Sequence, residues 1–240
     1  MTSFAAAART DRGRVRASNE DSVVVTDRLA AVADGLGGHA AGEVASGIAV
    51  ERMRVLGEQP RVAPEDVLSA VVEANRLIVE SAARNLGQAG MGTTLCGVAL
   101  GQVGETDQCV VFNVGDSRVY NVRDGALVQL SVDHSEVEEL RAAGQLSAEA
   151  AARYPRRNVI TRCLGSDPSP TPDLWVFPPT DGERFLVCSD GLTGEVDDAA
   201  IAQLLRQHAE PEPAAHALVD AALAAGGRDN IAVVVVNVSS

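Results

Sequence analysis

Apolar positions along the chain change their spacing several times, and each change predicts an element. Residues 22–26 and 29–33 are apolar runs parted by a polar turn at Asp27 and Arg28, which predicts a hairpin; the glycine-rich Asp34-Gly35-Leu36-Gly37-Gly38 follows and predicts a loop. Beyond it, Ala41, Val44, Ala45 and Ile48 recur at the spacing of an amphipathic helix. A second helix has Pro64, Glu65 and Asp66 as its first turn and Val67, Ala70, Val71, Ala74, Leu77 and Ile78 as its apolar stripe. From 93 to 130 the pattern becomes that of strands, with runs at 98–100, 109–114, 119–122 and 127–130 whose spacing suggests an antiparallel meander.

Between His134 and Gly165 apolar density falls and charge rises, with a short helical piece at 137–143. We read a surface flap, because a long irregular segment packed on a domain is more typical of a lid than of a plain connector. The proline-rich stretch 168–172 is a turn or edge, since strand-like segments resume at 174–177 and 184–188, helical patterns follow at 198–207 and 214–225, and the β-branched run 231–238 reads as a central strand. No internal repeat interrupts the pattern, so residues 1–240 are expected to form one domain.

Composition narrows the class. The chain is 46% hydrophobic but only 3% aromatic, so its core must be mainly aliphatic. A net charge of -13 weighs against nucleic acid and anionic membranes as partners. The four cysteines, Cys96, Cys109, Cys163 and Cys188, form no C-x-x-C pair and read as free thiols in a reducing cytosol. Neither a secretion signal nor an apolar run of spanning length is visible, so the expected location is cytoplasmic.

One local pattern recurs: an apolar strand ends in aspartate beside a small residue. Val32-Ala33-Asp34-Gly35, Val114-Gly115-Asp116-Ser117, Cys188-Ser189-Asp190-Gly191 and Gly227-Arg228-Asp229-Asn230 all fit, and Asn19-Glu20-Asp21 precedes the strand at 22. Any one Asp-Gly is most simply a turn. Together they carry more, because two carboxylates 4 Å apart repel by about 4 kcal/mol at an effective dielectric near 20, so a cluster calls for cations. The donors are all oxygen, with no His or Cys cluster beside them, which selects Mg²⁺ or Mn²⁺ over Zn²⁺ or copper.

The ordered set of motifs resembles the metal-dependent protein phosphatases of type 2C in their bacterial single-domain form. The matching stretches are Arg16-Ala17-Ser18-Asn19-Glu20-Asp21, Asp34-Gly35-Leu36-Gly37-Gly38-His39, Met91-Gly92-Thr93-Thr94, Gly115-Asp116-Ser117-Arg118, Asp133-His134-Ser135, Ile160-Thr161-Arg162, Ser189-Asp190-Gly191-Leu192 and Asp229-Asn230-Ile231. Each is weak alone; in order, across nearly the whole chain, they are specific.

The resemblance implies an α+β fold, a four-layer α-β-β-α sandwich with two central antiparallel sheets and a flap near a metal cleft. It implies hydrolysis of phosphoserine and phosphothreonine in proteins by in-line attack of a water or hydroxide bridging two cations. Carried over by residue, Asp34 would bridge two metals, with the Gly35 carbonyl beside it and Asp190 and Asp229 completing the site. Asp116 with Asp190 would hold a third, weaker ion, Glu20 and Asp21 would orient metal-held waters, and Arg16 would bind the substrate phosphate. The partners implied are phosphoproteins opposed by a serine/threonine kinase, acted on by a monomer.

One position departs from some relatives. Leu36 stands where they have a histidine proposed to protonate the leaving group; His39 is the nearest here and can equally cap or pack on the following helix, so the general acid stays open between it and a metal-held water. His134 reads as a loop-fixing hydrogen-bond partner, and Arg156 and Arg157 in the flap are candidate substrate contacts. His208 and His216 are assigned no function.

Rival chemistries lack their residues. No cysteine has an arginine six positions later, D-x-D-x-T and G-x-S-x-G are absent, and no lysine follows the glycine loop. A non-catalytic phosphoprotein-binding module on the same fold and a metabolite phosphatase remain as alternatives.

Overall fold

The computed structural model describes the chain except for residues 1, 38–40, 124–125, 152 and 240. Strand β1 (Ser3–Asp11) leads into the hairpin β2 (Asp21–Val25) and β3 (Leu29–Leu36), followed by helices α1 (Ala41–Gly57) and α2 (Pro64–Arg84). Strands β4 (Gly92–Thr93), β5 (Leu95–Val103), β6 (Thr106–Val114), β7 (Arg118–Arg123) and β8 (Ala126–Gln129) come next. The flap carries α3 (Glu136–Ala142) and α4 (Ala148–Ala151). The chain closes with β9 (Asp173–Phe177), β10 (Arg184–Cys188), α5 (Asp190–Thr193), α6 (Asp198–Gln207), α7 (Pro211–Ala225) and β11 (Ile231–Ser239).

These strands form two antiparallel sheets, ordered β1-β11-β10-β7-β8 and β2-β3-β5-β6-β9, with β4 paired to β3. Alternation on the strands shows how the layers stack. In β11, Ile231, Val233 and Val235 join a cluster with Leu205, Leu218 and Val219 of α6 and α7, while Ala232, Val234, Val236 and Val238 face the other sheet. In β3, Leu29, Ala31 and Ala33 meet Ala45, Ala49 and Met53 of α1, while Ala30 and Val32 point between the sheets. Both faces of each sheet are thus covered, which explains why the strands read as continuous apolar runs. The expected α-β-β-α sandwich is what forms.

Local chemistry sets the element ends. In α2, Pro64 occupies the first turn, where its missing N–H costs nothing, and Asp66 accepts from the Ala63 backbone N–H at 2.8 Å. Asp197 caps α6 by accepting from Ala200 N–H at 2.8 Å.

The structure corrects two expectations. The loop expected from Asp34 onward begins later, because β3 continues to Leu36 by pairing Gly35 with Thr93 and Leu36 with Gly92 on β4. The run 93–130 is not one meander: β5 and β6 pair in one sheet and β7 and β8 in the other. The chain crosses between sheets at Gly115, whose φ of 109° is open only to glycine at low cost. One strand was not anticipated, β1, which pairs along its whole length with β11. Among the described residues, no helix is long and apolar enough to cross a membrane. The four cysteines are free, three of them buried.

Gly97 on β5 shows how closely that strand is packed against its neighbours β3 and β6. A Cβ there would lie 2.5 Å from the Ala30 carbonyl oxygen and 2.5 Å from the Phe112 ring. Because the first obstacle is backbone and cannot rotate away, Gly97→Ala is expected to lower stability by about 1–3 kcal/mol. Urea unfolding of the variant checks this, and an unchanged midpoint would show that the strand relaxes freely.

Candidate metal centre

Antiparallel pairing brings the starts of β2, β7 and β11 and the ends of β1, β3, β6 and β10 to one end of the sandwich. Every aspartate singled out above lies at that end. Asp21 and Asp34 are direct Cα partners across β2 and β3. Asp190 opens α5 directly after Ser189, and Asp229 lies two positions before β11.

Each carboxylate is mounted by polar neighbours. Asp34 sits between backbone and side-chain bonds: its N–H donates to Thr94 Oγ1 at 2.9 Å, and its carbonyl accepts from Thr94 N–H and Thr93 Oγ1, both at 2.9 Å. Thr94 in turn meets Ser117 at 2.8 Å, linking the frame of Asp34 to the turn that carries Asp116. That turn is clamped by His134, whose Nδ1 accepts from Gly115 N–H at 3.1 Å and whose own N–H donates to the Gly115 carbonyl at 2.9 Å. Nδ1 is therefore unprotonated, and Nε2 donates to Asp173 at 3.1 Å. The expectation for His134 as a loop-fixing partner matches this geometry.

Asp21, only 6% exposed, accepts from Ser189 Oγ at 2.7 Å through one oxygen. Its other oxygen is buried without a partner. Glu20 accepts through Oε1 from Ser18 Oγ at 3.4 Å, and its backbone N–H donates to Asn230 at 2.9 Å. Gly35 must be glycine: a Cβ would lie 2.3 Å from the Gly42 carbonyl oxygen and 2.6 Å from that of Glu20. Arg16 donates to Asp229 at 2.6 Å rather than projecting freely, so its positive end already lies on the acidic edge.

The electrostatics are unfavourable as they stand. Burial raises Asp34 well above the ordinary carboxylate value, and Asp21, Asp190, Asp116 and Asp229 push it further. Asp21 rises to about 7, chiefly by burial, against the stabilising Ser189 hydrogen bond. Asp116 also rises to about 7, through burial and then Asp190 and Asp133. Asp190 is raised by burial and by Asp229, while a hydrogen bond with Asp34 opposes the shift.

These observations fit a resident hard cation. The donors are oxygens, their charges repel, and one buried carboxylate oxygen lacks any partner. Among the described residues, no three acidic, His or Cys side chains enclose an ion by themselves.

A cavity of about 460 Å³ runs from Asp116 and Asp190 beneath the flap, reaching Glu138, Arg141 and Arg157. Of the two flap arginines expected to meet substrate, Arg157 lines this cavity, whereas Arg156 is paired with Glu136 at 2.7 Å. His39 lies outside the described residues. Sequence reasoning did not single out Ser189, Asn230 or Asn113, which position the aspartates. Asn230 donates to the carbonyls of Arg12 and Ser18 at 2.8 Å each, and Asn113 to those of Gly115 and Val132 at 3.0 Å each. Ser189 and Asn230 stand inside motifs quoted above that gave them no positioning role, and Asn113 showed only a polar side chain in an otherwise apolar strand.

A fold of this kind with acids gathered at one end defines a metal-dependent hydrolase, and comparison with known proteins gives the family. The family model for protein phosphatase 2C matches residues 11–225. The serine/threonine protein phosphatase PstP of Mycobacterium tuberculosis is 41% identical over 97% of this chain, which spans 44% of the length of that relative. The serine/threonine phosphatase stp of Listeria innocua is 36% identical, covering 95% of this chain and 93% of its own. The solved catalytic domain of PstP in complex with two manganese ions superposes with a TM-score of 0.91 at 37% identity, covering 100% of both chains. The chain belongs to the protein phosphatase 2C family of metal-dependent serine/threonine phosphatases.

The raised carboxylates give a pH test. An aspartate whose folded pKa exceeds its unfolded value favours the fold at low pH, and that contribution is lost as pH rises through the folded value, here about 7 for Asp21 and Asp116. In chelator, the thermal midpoint of the wild type should therefore fall relative to that of Asp21→Asn as pH rises from about 5 to about 7.5. Added Mn²⁺ should raise the wild-type midpoint more at the upper pH. A Mn²⁺ shift equal at both ends would show that these acids do not hold the ion.

Proposed function

We propose that this chain removes phosphate from phosphoserine and phosphothreonine in proteins, with Asp34 at the centre of a site for divalent cations. The observation that carries the reading is the gathering of Asp21, Asp34, Asp116 and Asp190, each pushed above its ordinary pKa by burial and by its neighbours. Bound Mg²⁺ or Mn²⁺ would neutralise these acids, acidify a water towards neutrality as the attacking group, and attract the phosphate dianion.

The chain's own residues have distinct tasks. Asp34 and the Gly35 carbonyl would hold the principal pair of ions with Asp190 and Asp229, and Asp116 with Asp190 a third, weaker one. Glu20 and Asp21 would accept hydrogen bonds from coordinated waters and fix their direction, Asp21 through the buried oxygen that lacks a partner. Arg16, its Asp229 partner then engaged elsewhere, would turn its planar donors to the phosphate oxygens and offset charge in the transition state. With Leu36 where some relatives have a histidine, the general acid is left to His39 or to water.

Phosphoproteins made by a serine/threonine kinase are the substrates this reading implies, met by a monomer in the cytoplasm. It is supported by the family, by the manganese-bound PstP domain of the same shape, and by the cavity extending from the acids beneath the flap.

The test is hydrolysis of a phosphothreonine peptide with and without Mn²⁺, beside Asp34→Asn. Turnover should require the metal, and the variant should lose at least about a hundredfold in kcat while keeping its circular dichroism, as when a key electrostatic group is removed. Metal binding without turnover would favour a phosphoprotein-binding module, and equal rates in the two proteins would dismiss Asp34.

A further inference from the structure

The connection between β1 and β2 carries three arginines at alternate positions, Arg12, Arg14 and Arg16, all exposed. Several arginines elsewhere are committed: Arg54 pairs with Glu51, Arg76 with Glu73, and Arg228 with Glu195 at 2.8 Å. Arg16 is committed to Asp229. Arg12 and Arg14 have no acidic partner among the described residues; Arg12 donates to the Ala17 carbonyl at 3.2 Å.

The connection is nonetheless firmly placed. Arg14 N–H donates to the Gly227 carbonyl at 2.7 Å, and a Cβ on Gly13 would lie 2.2 Å from the Asp229 carbonyl oxygen. Asn230 holds the carbonyls of Arg12 and Ser18. Two arginines without an acidic partner are thus carried on backbone anchored to the turn that presents Asp229, on a chain whose net charge is -13. Holding them there without a counter-anion makes physical sense if the anion arrives with the substrate.

We propose that Arg12 and Arg14 select substrates by reading negative charge beside the phosphorylated residue, so that acidic or multiply phosphorylated segments are preferred. The inference rests on the phosphatase reading above and adds to it a substrate class. Two residues of chain span at most about 7 Å and four about 14 Å, and an extended peptide advances about 3.3 Å per residue. With Arg16 on the scissile phosphate, Arg14 and Arg12 would meet side chains roughly one to four positions away. The guanidinium fork takes a carboxylate or a second phosphate through two parallel hydrogen bonds. Nucleic acid also offers regularly spaced anions, but three arginines on so acidic a chain are not the extended basic surface it needs.

The experiment compares kcat/KM with saturating Mn²⁺ on phosphothreonine peptides alike except for neutral residues, two acidic residues or a second phosphothreonine next to the target. At low ionic strength the wild type should favour the charged peptides by roughly threefold to tenfold, through KM, and less so at about 0.5 M salt. Arg12→Gln with Arg14→Gln should bring the ratio close to one, and the corresponding double lysine variant should retain most of it. Because the readout is a ratio, loss of folded protein does not move it.

A wild-type ratio near one, or a ratio unchanged in the double glutamine variant, overturns the proposal. So does displacement of the peptides by a single-stranded oligonucleotide at equal charge. Turnover without charge preference removes this inference alone. No metal-dependent turnover of any peptide removes the phosphatase reading and this one with it.

Discussion

Like charges gathered at one end of the sandwich are the constraint around which this protein is built. Asp21 and Asp34 face one another across a strand pair, and the charges of Asp190, Asp116 and Asp229 also act on Asp34. In water such groups would separate. Here they cannot, because each is anchored through its backbone to a strand or turn whose position is set by apolar burial elsewhere. The site is therefore paid for by the core, and it stays electrostatically unbalanced until cations arrive.

The polar residues around the acids hold geometry more than charge. Ser189 illustrates this, since its hydroxyl accepts from Ala232 N–H at 2.9 Å while donating to Asp21 at 2.7 Å, so strand β11 and a carboxylate of the opposite sheet share one oxygen. Thr94 and Ser117 do the same between Asp34 and the Asp116 turn. His134 extends the linkage outward: it clamps Gly115, and its carbonyl accepts from Thr161 N–H at 2.8 Å, so the two ends of the flap meet where the Asp116 turn is fixed. Flap and acids thus rest on the same small set of hydrogen bonds.

Much of this was legible in the chain, for identifiable reasons. Strands rich in valine, such as β6 and β11, announce themselves because β-branched residues on both faces suit a covered sheet. The aspartates were readable because each closes an apolar run. Strand β1 was not: its Phe4-Ala5-Ala6-Ala7-Ala8 run has weak strand preference, and it becomes a strand through the valines of β11 beside it. The meander misled because spacing along the chain cannot say which sheet a strand joins, and the crossing falls at the turn that holds Gly115. Ser189, Asn230 and Asn113 were hidden for a related reason, since their partners lie far away in sequence.

The two-sheet architecture also ties the centre to the core. Asp21 and Asp34 belong to one sheet, Asp190 and Asp229 flank strands of the other, and Asp116 lies where the chain crosses between them. How the two sets of carboxylates are placed relative to one another consequently depends on the spacing of the sheets, which Val32, Cys96, Val98, Val187 and Val234 in the layer between help to set. Interiors of this kind are packed to crystal-like density, so a methylene added there is transmitted rather than absorbed. A substitution deep in that layer acts on the site without touching it, by altering how far apart two halves of one cation-binding surface are held.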